Sequence, residues 1–161
     1  MPAGTAVEGS SCTESNECAP GLLCAGIGVA SCLKTCESDS ECPGTTNLCL
    51  LEFEDGVTDL CTGTCDPIAQ TGCPSGAMCR VYQEDSGARR GFTTCWGPIG
   101  TGVQGSSCTD SDDCARGYVC GGTMCHKWCR EGFSGDCPTD TTCTGLTESI
   151  PVGSTRYNVC I

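Results

Sequence analysis

The stretch GSSCTDSDDCARGYVCGGTMCHKWC, Gly105–Cys129, decides how the chain is read, because GSSCTESNECAPGLLCAGIGVASCLKTC, Gly9–Cys36, nearly repeats it. Both open on Gly-Ser-Ser-Cys. Both continue with five residues, Cys, five residues, Cys, a variable gap, Cys, three residues and Cys. A copy this clear marks a repeat architecture, in which one small unit is reused along the chain.

Working outward, the cysteines fall into five groups of four: 12, 18, 24, 32; 36, 42, 49, 61; 65, 73, 79, 95; 108, 114, 120, 125; and 129, 137, 143, 160. Three residues separate successive groups, except between Cys95 and Cys108, where twelve intervene. The groups are modules one to five. Modules one and four share spacings of five and five, whereas modules three and five share seven, five and then fifteen or sixteen. The organisation read from this is a linker-like segment 1–11, three modules in 12–95 (12–32, 36–61 and 65–95), a linker 96–107, and two modules in 108–161 (108–125 and 129–160).

After the second cysteine of each module comes a turn signal: Ala19-Pro20-Gly21, Pro43-Gly44, Pro74-Ser75-Gly76, Ala115-Arg116-Gly117 and Pro138-Thr139-Asp140. Proline presets φ, and Gly or Asp tolerates positive φ. The interval from third to fourth cysteine reads as a β-hairpin. Leu50–Leu60, Arg80–Thr94 and Thr144–Val159 each place β-branched or aromatic residues around a turn-forming cluster. No segment carries a 3.6-residue period over three turns, so little helix is expected. The fold class is a small disulfide-rich, tandem array of five four-cysteine β-hairpin modules, elongated, with each module mainly touching its neighbours.

Twenty cysteines in 161 residues, with 5% aromatics, describe a chain held by cross-links rather than by one large oily core. An even number suits full pairing. Persistent disulfides need an oxidising compartment, so an extracellular or cell-surface location is expected. A net charge of −12 makes nucleic acid and anionic membrane poor partners. No run of 18 apolar residues predicts membrane insertion. Met1-Pro-Ala-Gly is not a secretory leader, so a mature chain or a piece of a longer one is expected.

Four cysteines allow three pairings, and spacing does not choose among them. First-to-third and second-to-fourth pairing is the arrangement taken here: Cys12–Cys24, Cys18–Cys32, Cys36–Cys49, Cys42–Cys61, Cys65–Cys79, Cys73–Cys95, Cys108–Cys120, Cys114–Cys125, Cys129–Cys143 and Cys137–Cys160. Each bridge would contribute about 3 kcal/mol by loop closure, though ten such values do not simply add.

The linker after module three runs from Trp96 to Ser107. Joining the C-terminus to the N-terminus on paper gives a junction of the same twelve-residue length. Ile161 then falls on Trp96, Pro2 on Pro98, Val7 on Val103, and Gly9-Ser10-Ser11 on Gly105-Ser106-Ser107, with Met1 beside them. Two readings follow: one period of a longer tandem polypeptide, or copies that assemble head to tail. A heterologous contact of the second kind generates rings or filaments.

Other constellations point elsewhere. Cys120-Gly-Gly-Thr-Met-Cys125-His126 has the form of a rare c-type haem attachment site, but module one has no histidine at that place and the haem would orphan two cysteines. Zinc would need C-x-x-C or C-x-C spacing, which does not occur. The acidic loops Glu14–Glu17, Glu37–Glu41 and Asp110–Asp113 offer hard oxygen ligands, with Asp110, Asp112 and Asp113 the best calcium candidates. They lack the full D-x-D-x-D-G-x₅-E loop, so solvated Asx or Ser turns are the expected reading and no cofactor is expected. Arg89-Arg90, in the loop clamped between Cys79 and Cys95, has the look of a protease-inhibitor bait. A nucleophilic triad would have to use His126, the only histidine, so no enzyme is expected.

The pattern C-x₅-C-x-x-G-x-x-C at Cys12–Cys24 and Cys108–Cys120 resembles the cysteine-rich repeats of secreted and surface proteins from myxobacteria and related bacteria. It is also similar to the N-terminal cysteine-rich domain of Dickkopf proteins. The first resemblance implies an exported, surface-associated repeat protein. The second departs in having five groups here and no colipase-like second domain, so receptor binding is not carried over. The function expected is an extracellular structural repeat protein, a subunit or segment of a head-to-tail fibre, sheath or surface appendage. The alternative is a secreted binding module, a protease inhibitor or a receptor or adhesion ligand, that uses the Arg80–Thr94 loop.

Overall fold

The structure is a computed structural model and describes residues 4–26 and 28–161. Modules one, two, four and five each begin with a single 3₁₀ turn, at Ser15–Glu17, Asp39–Glu41, Ser111–Asp113 and Ser134–Asp136, that ends at the second cysteine. Module three uses a turn in which the Asp66 carboxylate accepts from the backbone N–H groups of Ile68 and Ala69. Short acidic residues suit these positions because their side chains satisfy backbone donors that no helix continues. The chain then reverses. Gly21, Gly44, Gly76, Gly117 and Asp140, the residues of the turn signals, all have positive φ, from 67° to 86°.

Each reversal feeds an antiparallel hairpin: β1 (Leu22–Ala25) and β2 (Ser31–Cys36); β3 (Cys49–Glu52) and β4 (Asp59–Cys61); β5 (Met78–Gln83) and β6 (Gly91–Trp96); β7 (Tyr118–Gly121) and β8 (Met124–Arg130); β9 (Ile150–Val152) and β10 (Thr155–Val159). In module five the hairpin occupies only the second half of Thr144–Val159, with its turn at Gly153-Ser154. The ten bridges join first to third and second to fourth cysteine in every module. All twenty cysteines are bridged. In modules one, two and four the second bridge pins the 3₁₀ turn to the last strand, and in module five to the residue just after it, which is how a hairpin too small to persist alone is held.

The three residues between modules are not all spacers. Leu33-Lys34-Thr35 continues β2 out of module one, and Thr35 and Cys36 pair with β4 of module two, giving one sheet in the order β1-β2-β4-β3. His126-Lys127-Trp128 does the same along β8, giving β7-β8-β10-β9. The folded units are therefore two short–long pairs, modules one with two and four with five, with the two-stranded module three between them in sequence.

Two of the three buried clusters consist of cysteine alone: Cys36, Cys42 and Cys61 in module two, with Cys49 against them, and Cys108, Cys114 and Cys125 in module four, with Cys120 and Tyr118 against them. Here the bridges are the core. The third cluster is apolar and joins modules: Val81 of module three packs with Trp128, Val152 and Val159, and Ile68 and Val119 lie at its margin.

This cluster changes the nearest-neighbour picture. Module three lies across the whole four–five pair, and Gly91 is so close to the Pro151 carbonyl and Ile150 that an added Cβ would sit 2.3 Å from the carbonyl oxygen. Thr46 of module two likewise touches Gly153 of module five. Module five thus meets modules two and three besides its sequence neighbour, because hairpins of residues 78–96 and 150–159 both carry an apolar face that water cannot cover. The accessible surface is 8553 Å², against roughly 7,600 Å² for a compact monomer of this mass, so the packing is looser than that of a single-core globule.

Ion pairs hold the periphery. The Asp136 carboxylate accepts from Nε and the terminal nitrogen of Arg130, both at 2.8 Å, and from the Arg130 backbone N–H at 3.0 Å. The Arg130 guanidinium holds the Asp136 carboxyl below the usual carboxylate range, against the opposing effect of its burial. Asp39 is also lowered, first by the Cys49 backbone N–H and then by Arg90. A group whose folded value is depressed contributes stability that is full above its unfolded value near 4 and is lost as pH falls through the folded value. Thermal melts followed by circular dichroism should therefore be flat from pH 7 to about 5 and fall below about 4. Asp136→Asn should lower the melting temperature at pH 7 and flatten the acid limb, whereas an unchanged acid limb would remove this pair as its source.

Candidate assembly surface

Residues 4–11 lie on module one as residues 100–107 lie on module four, through a shared set of backbone bonds, to which the linker adds bonds from Gly100 and Thr101 to the Cys114 and Asp113 carbonyls. Ala6 N–H donates to the Glu17 carbonyl at 3.0 Å and its own carbonyl accepts from Ala19 at 2.9 Å; Gly102 donates to Asp113 at 2.9 Å and accepts from Ala115 at 2.8 Å. Gly9 donates to Cys32 and Gly105 to Cys125, both at 2.9 Å. Ser10 and Ser106 close the same tight turns, onto the Val7 and Val103 carbonyls. The approach needs glycine at one place. A Cβ on Gly4 would fall 2.0 Å from the Glu17 carbonyl, and one on Gly100 would fall 2.1 Å from that of Asp113. Gly100→Ala should undock the linker and cost about 1–3 kcal/mol, within the usual range for a disruptive substitution. Amide hydrogen exchange should report it as lost protection at Gly102 and Ala115, with β9 and β10 unaffected.

Upstream of the linker sits the contact that fixes module three on module four. Arg80, 5% exposed, donates from one terminal nitrogen to the Ser111 carbonyl at 2.9 Å and to Asp112 Oδ1 at 2.8 Å. Trp96 Nε1 donates to the same Oδ1 at 2.9 Å, and the Arg80 guanidinium lies 5.3 Å from the Trp96 ring centroid. Tyr82 continues the row, 5.8 Å from Trp96 and 5.7 Å from Phe92. A guanidinium stacked on indole, with one carboxylate serving both, is a directional lock between two modules that share no sheet.

No family model, curated protein or solved structure matches this chain. Its own internal repeat is the comparison that remains. Among the residues expected to form an assembly contact, Trp96 belongs to the lock just described. Pro98 is exposed after a cis Gly97–Pro98 bond. Val7, Val103 and Ile161 are exposed by 67%, 52% and 54%, a large apolar display for three side chains. Met1 and Pro2 lie outside the described residues. Ile161 exchanges two backbone bonds with Thr142, so the last residue is held against module five.

The other candidates are placed differently from their sequence reading. Asp110, Asp112 and Asp113 do not converge on one point. Asp112 faces Arg80 and Trp96, Asp113 accepts from the Thr109 and Asp110 backbone and the Thr109 hydroxyl, and Asp110 accepts from Asp112 N–H. These bonds hold the Asp113 carboxyl below the usual range, the Thr109 backbone first. The carboxylates that looked like calcium ligands are thus a turn cap and half of an intermodule pair. Cys120 and Cys125 are bridged to Cys108 and Cys114, so their sulfurs are spent, and His126 Nδ1 lies 3.1 Å from the Cys160 carbonyl. The sulfur triplets close enough to hold a metal, such as Cys36, Cys42 and Cys61, are members of bridges.

In the Arg80–Thr94 loop, Arg80 is buried and Arg90 is bound by Glu84 on two sides and by Asp39 of module two. Arg89 is exposed but has a φ of +50° and donates to Gln83. An inhibitory side chain must be free to enter a protease pocket on an extended backbone; Arg80 and Arg90 are not free, and Arg89 is not extended. A cavity of about 840 Å³ opens between the first sheet and module three, lined by Leu33, Leu51, Phe53, Leu60 and Trp96 with Glu8 and Glu52. It is a gap where three modules meet around a thin core.

The lock was not legible in the sequence because Arg80, at the start of a hairpin, and Asp112, in an acidic turn, are 32 residues apart. The position of Arg80 directly after Cys79, at the bridged start of a strand, was the available signal.

Proposed function

We propose that this is an extracellular structural repeat protein, joined to its neighbours head to tail as a subunit or segment of a fibre, sheath or surface appendage. One observation carries the reading: residues 4–11 repeat on module one, at Ala6, Gly9 and Ser10, the backbone bonds that an intermodule linker makes on module four at Gly102, Gly105 and Ser106. Module one is thereby prepared for something upstream, and Ile161 stands where Trp96 introduces the linker. Ten bridges favour an oxidising compartment, and no helix among the described residues is long and apolar enough to cross a membrane. The role is mechanical rather than catalytic. Disulfide cores keep a loosely packed unit folded against proteolysis, where a small apolar core would open. The resemblance of the cysteine spacing to surface repeats of myxobacteria agrees with it.

Negative-stain electron microscopy of the purified chain, with sedimentation velocity over a dilution series, tests the proposal. Strings of end-joined particles and a sedimentation coefficient that rises with concentration are expected. Single particles at every concentration would overturn assembly of separate copies, and with it the subunit reading.

A further inference from the structure

The second half of the chain shows what covers the face of a short–long pair. Module three sits on the four–five pair through the Ser111 carbonyl, Asp112, Gly117 and Val119. A Cβ on Gly117 would meet Gln70 at 3.7 Å and Pro67 at 3.9 Å. By the repeat, the matching positions on the one–two pair are Ser15, Asn16, Gly21 and Leu23. The local frame there is the same: Ser15 Oγ accepts from Cys24 as Ser111 Oγ does from Cys120, and the Gly21 carbonyl accepts from Thr35 as that of Gly117 does from Trp128. Yet at Gly21 no described residue comes within 4 Å of an added Cβ, and Asn16 is exposed.

We infer that this open face of module one is the seat of module five from a second copy of the chain. The inference rests on the head-to-tail reading and assigns its two surfaces. Module five has the cysteine spacing of module three and precedes the same kind of linker. Module three of another copy is not available, since its Arg80 and Trp96 are already committed to Asp112. On module five the position of Trp96 is taken by Ile161, and Phe133 stands one place beyond that of Ile68. These two side chains are 54% and 55% exposed, among the few large apolar groups left in water.

The contact between copies differs chemically from the one within the chain. Asn16 replaces Asp112, Thr144 replaces Arg80 and Thr35 replaces Trp128, so the ion pair and the buried indole are absent and the joint is uncharged. Within the chain the linker also supplies a high effective concentration that separate copies lack. The joint between copies is therefore weaker and depends on protein concentration. The interface is heterologous, so it propagates until one face is blocked.

Sedimentation velocity on Asn16→Trp, Phe133→Asp and Ile161→Asp, with Val57→Asp as a control at an exposed hairpin tip, tests the assignment. Circular dichroism confirms that each variant is folded, and the exposure of the altered side chains makes this the expected outcome. Each of the first three should need at least about tenfold more protein to associate, roughly 1.4 kcal/mol, while Val57→Asp behaves as the wild type. A mixture of Asn16→Trp with Phe133→Asp should stop at dimers, because each retains one competent face. If the wild type forms strings and all four variants do so equally, the seat is wrong and the head-to-tail reading stands. If the wild type itself stays monomeric throughout, that reading fails and the seat with it.

Discussion

Removing one buried bridge, Cys42→Ala with Cys61→Ala, is expected to cost about 4–5 kcal/mol, more than loop closure alone explains. Its sequence separation is 19, which corresponds to about 3 kcal/mol of chain entropy. The remainder arises because Cys42 and Cys61, 6% and 0% exposed, form with Cys36 the whole buried cluster of module two. Deleting two sulfurs there leaves a cavity with little around it to collapse. Cys12–Cys24 provides the comparison. Its separation of 12 gives nearly the same entropic value, about 2.8 kcal/mol, but both cysteines are half-buried and belong to no cluster. Cys12→Ala with Cys24→Ala should therefore cost less. Urea titration of both variants decides the matter, and equal losses would mean that the bridges act only on the unfolded chain.

The second large effect is expected at Arg80. Arg80→Ala removes two charged hydrogen bonds and the stack on Trp96, while Asp112 keeps only the indole N–H. Hydrogen bonds to charged groups are worth about 1.5–3 kcal/mol each when buried, but the Asp112 side chain is 41% exposed and water replaces part of the loss. A cost of about 3 kcal/mol is expected, concentrated at one joint. Hydrogen exchange should show lost protection in the 66–72 turn and along residues 111–119, with sheet β1-β2-β4-β3 unchanged. Trp fluorescence should shift to the red as the indole of Trp96 is exposed. Arg80→Lys should recover little, since an ammonium cannot serve the Ser111 carbonyl and Asp112 with one flat fork while stacking on indole. If Arg80→Ala leaves both probes unchanged, modules three and four are held by the apolar contacts of Val81 and Ile68 and by the Trp96–Asp112 bond, not by Arg80.

Cysteine spacing made the modules legible, because a bridge constrains the distance between its ends and the chain between bridges must then turn at fixed places. Gly21, Gly44, Gly76, Gly117 and Asp140 were recognisable for the same reason: each is the residue that tolerates positive φ after a second cysteine. Two features were not legible. The three-residue gaps carry no assignment in the sequence, yet Leu33–Thr35 and His126–Trp128 are strand, since so short a run gives no signal until a partner strand is known. The stacking of module three across modules four and five depends on which face of β5 meets Trp128 and Val152, and strand alternation fixes faces only relative to one another. A tryptophan at 128 where module one has Thr35 was the trace of that contact. Asp112 was legible only as part of a short acidic turn, because the arginine beside it lies 32 residues upstream.

Peptide mapping of the non-reduced protein, with a thiol titration under denaturation, bears most directly on the claim that bridges within each module hold this molecule together. Ten linked peptide pairs are predicted, each joining first to third or second to fourth cysteine of one module, with no reactive thiol. A bridge between modules, a first-to-second pairing, or thiol released in molar amount would contradict it.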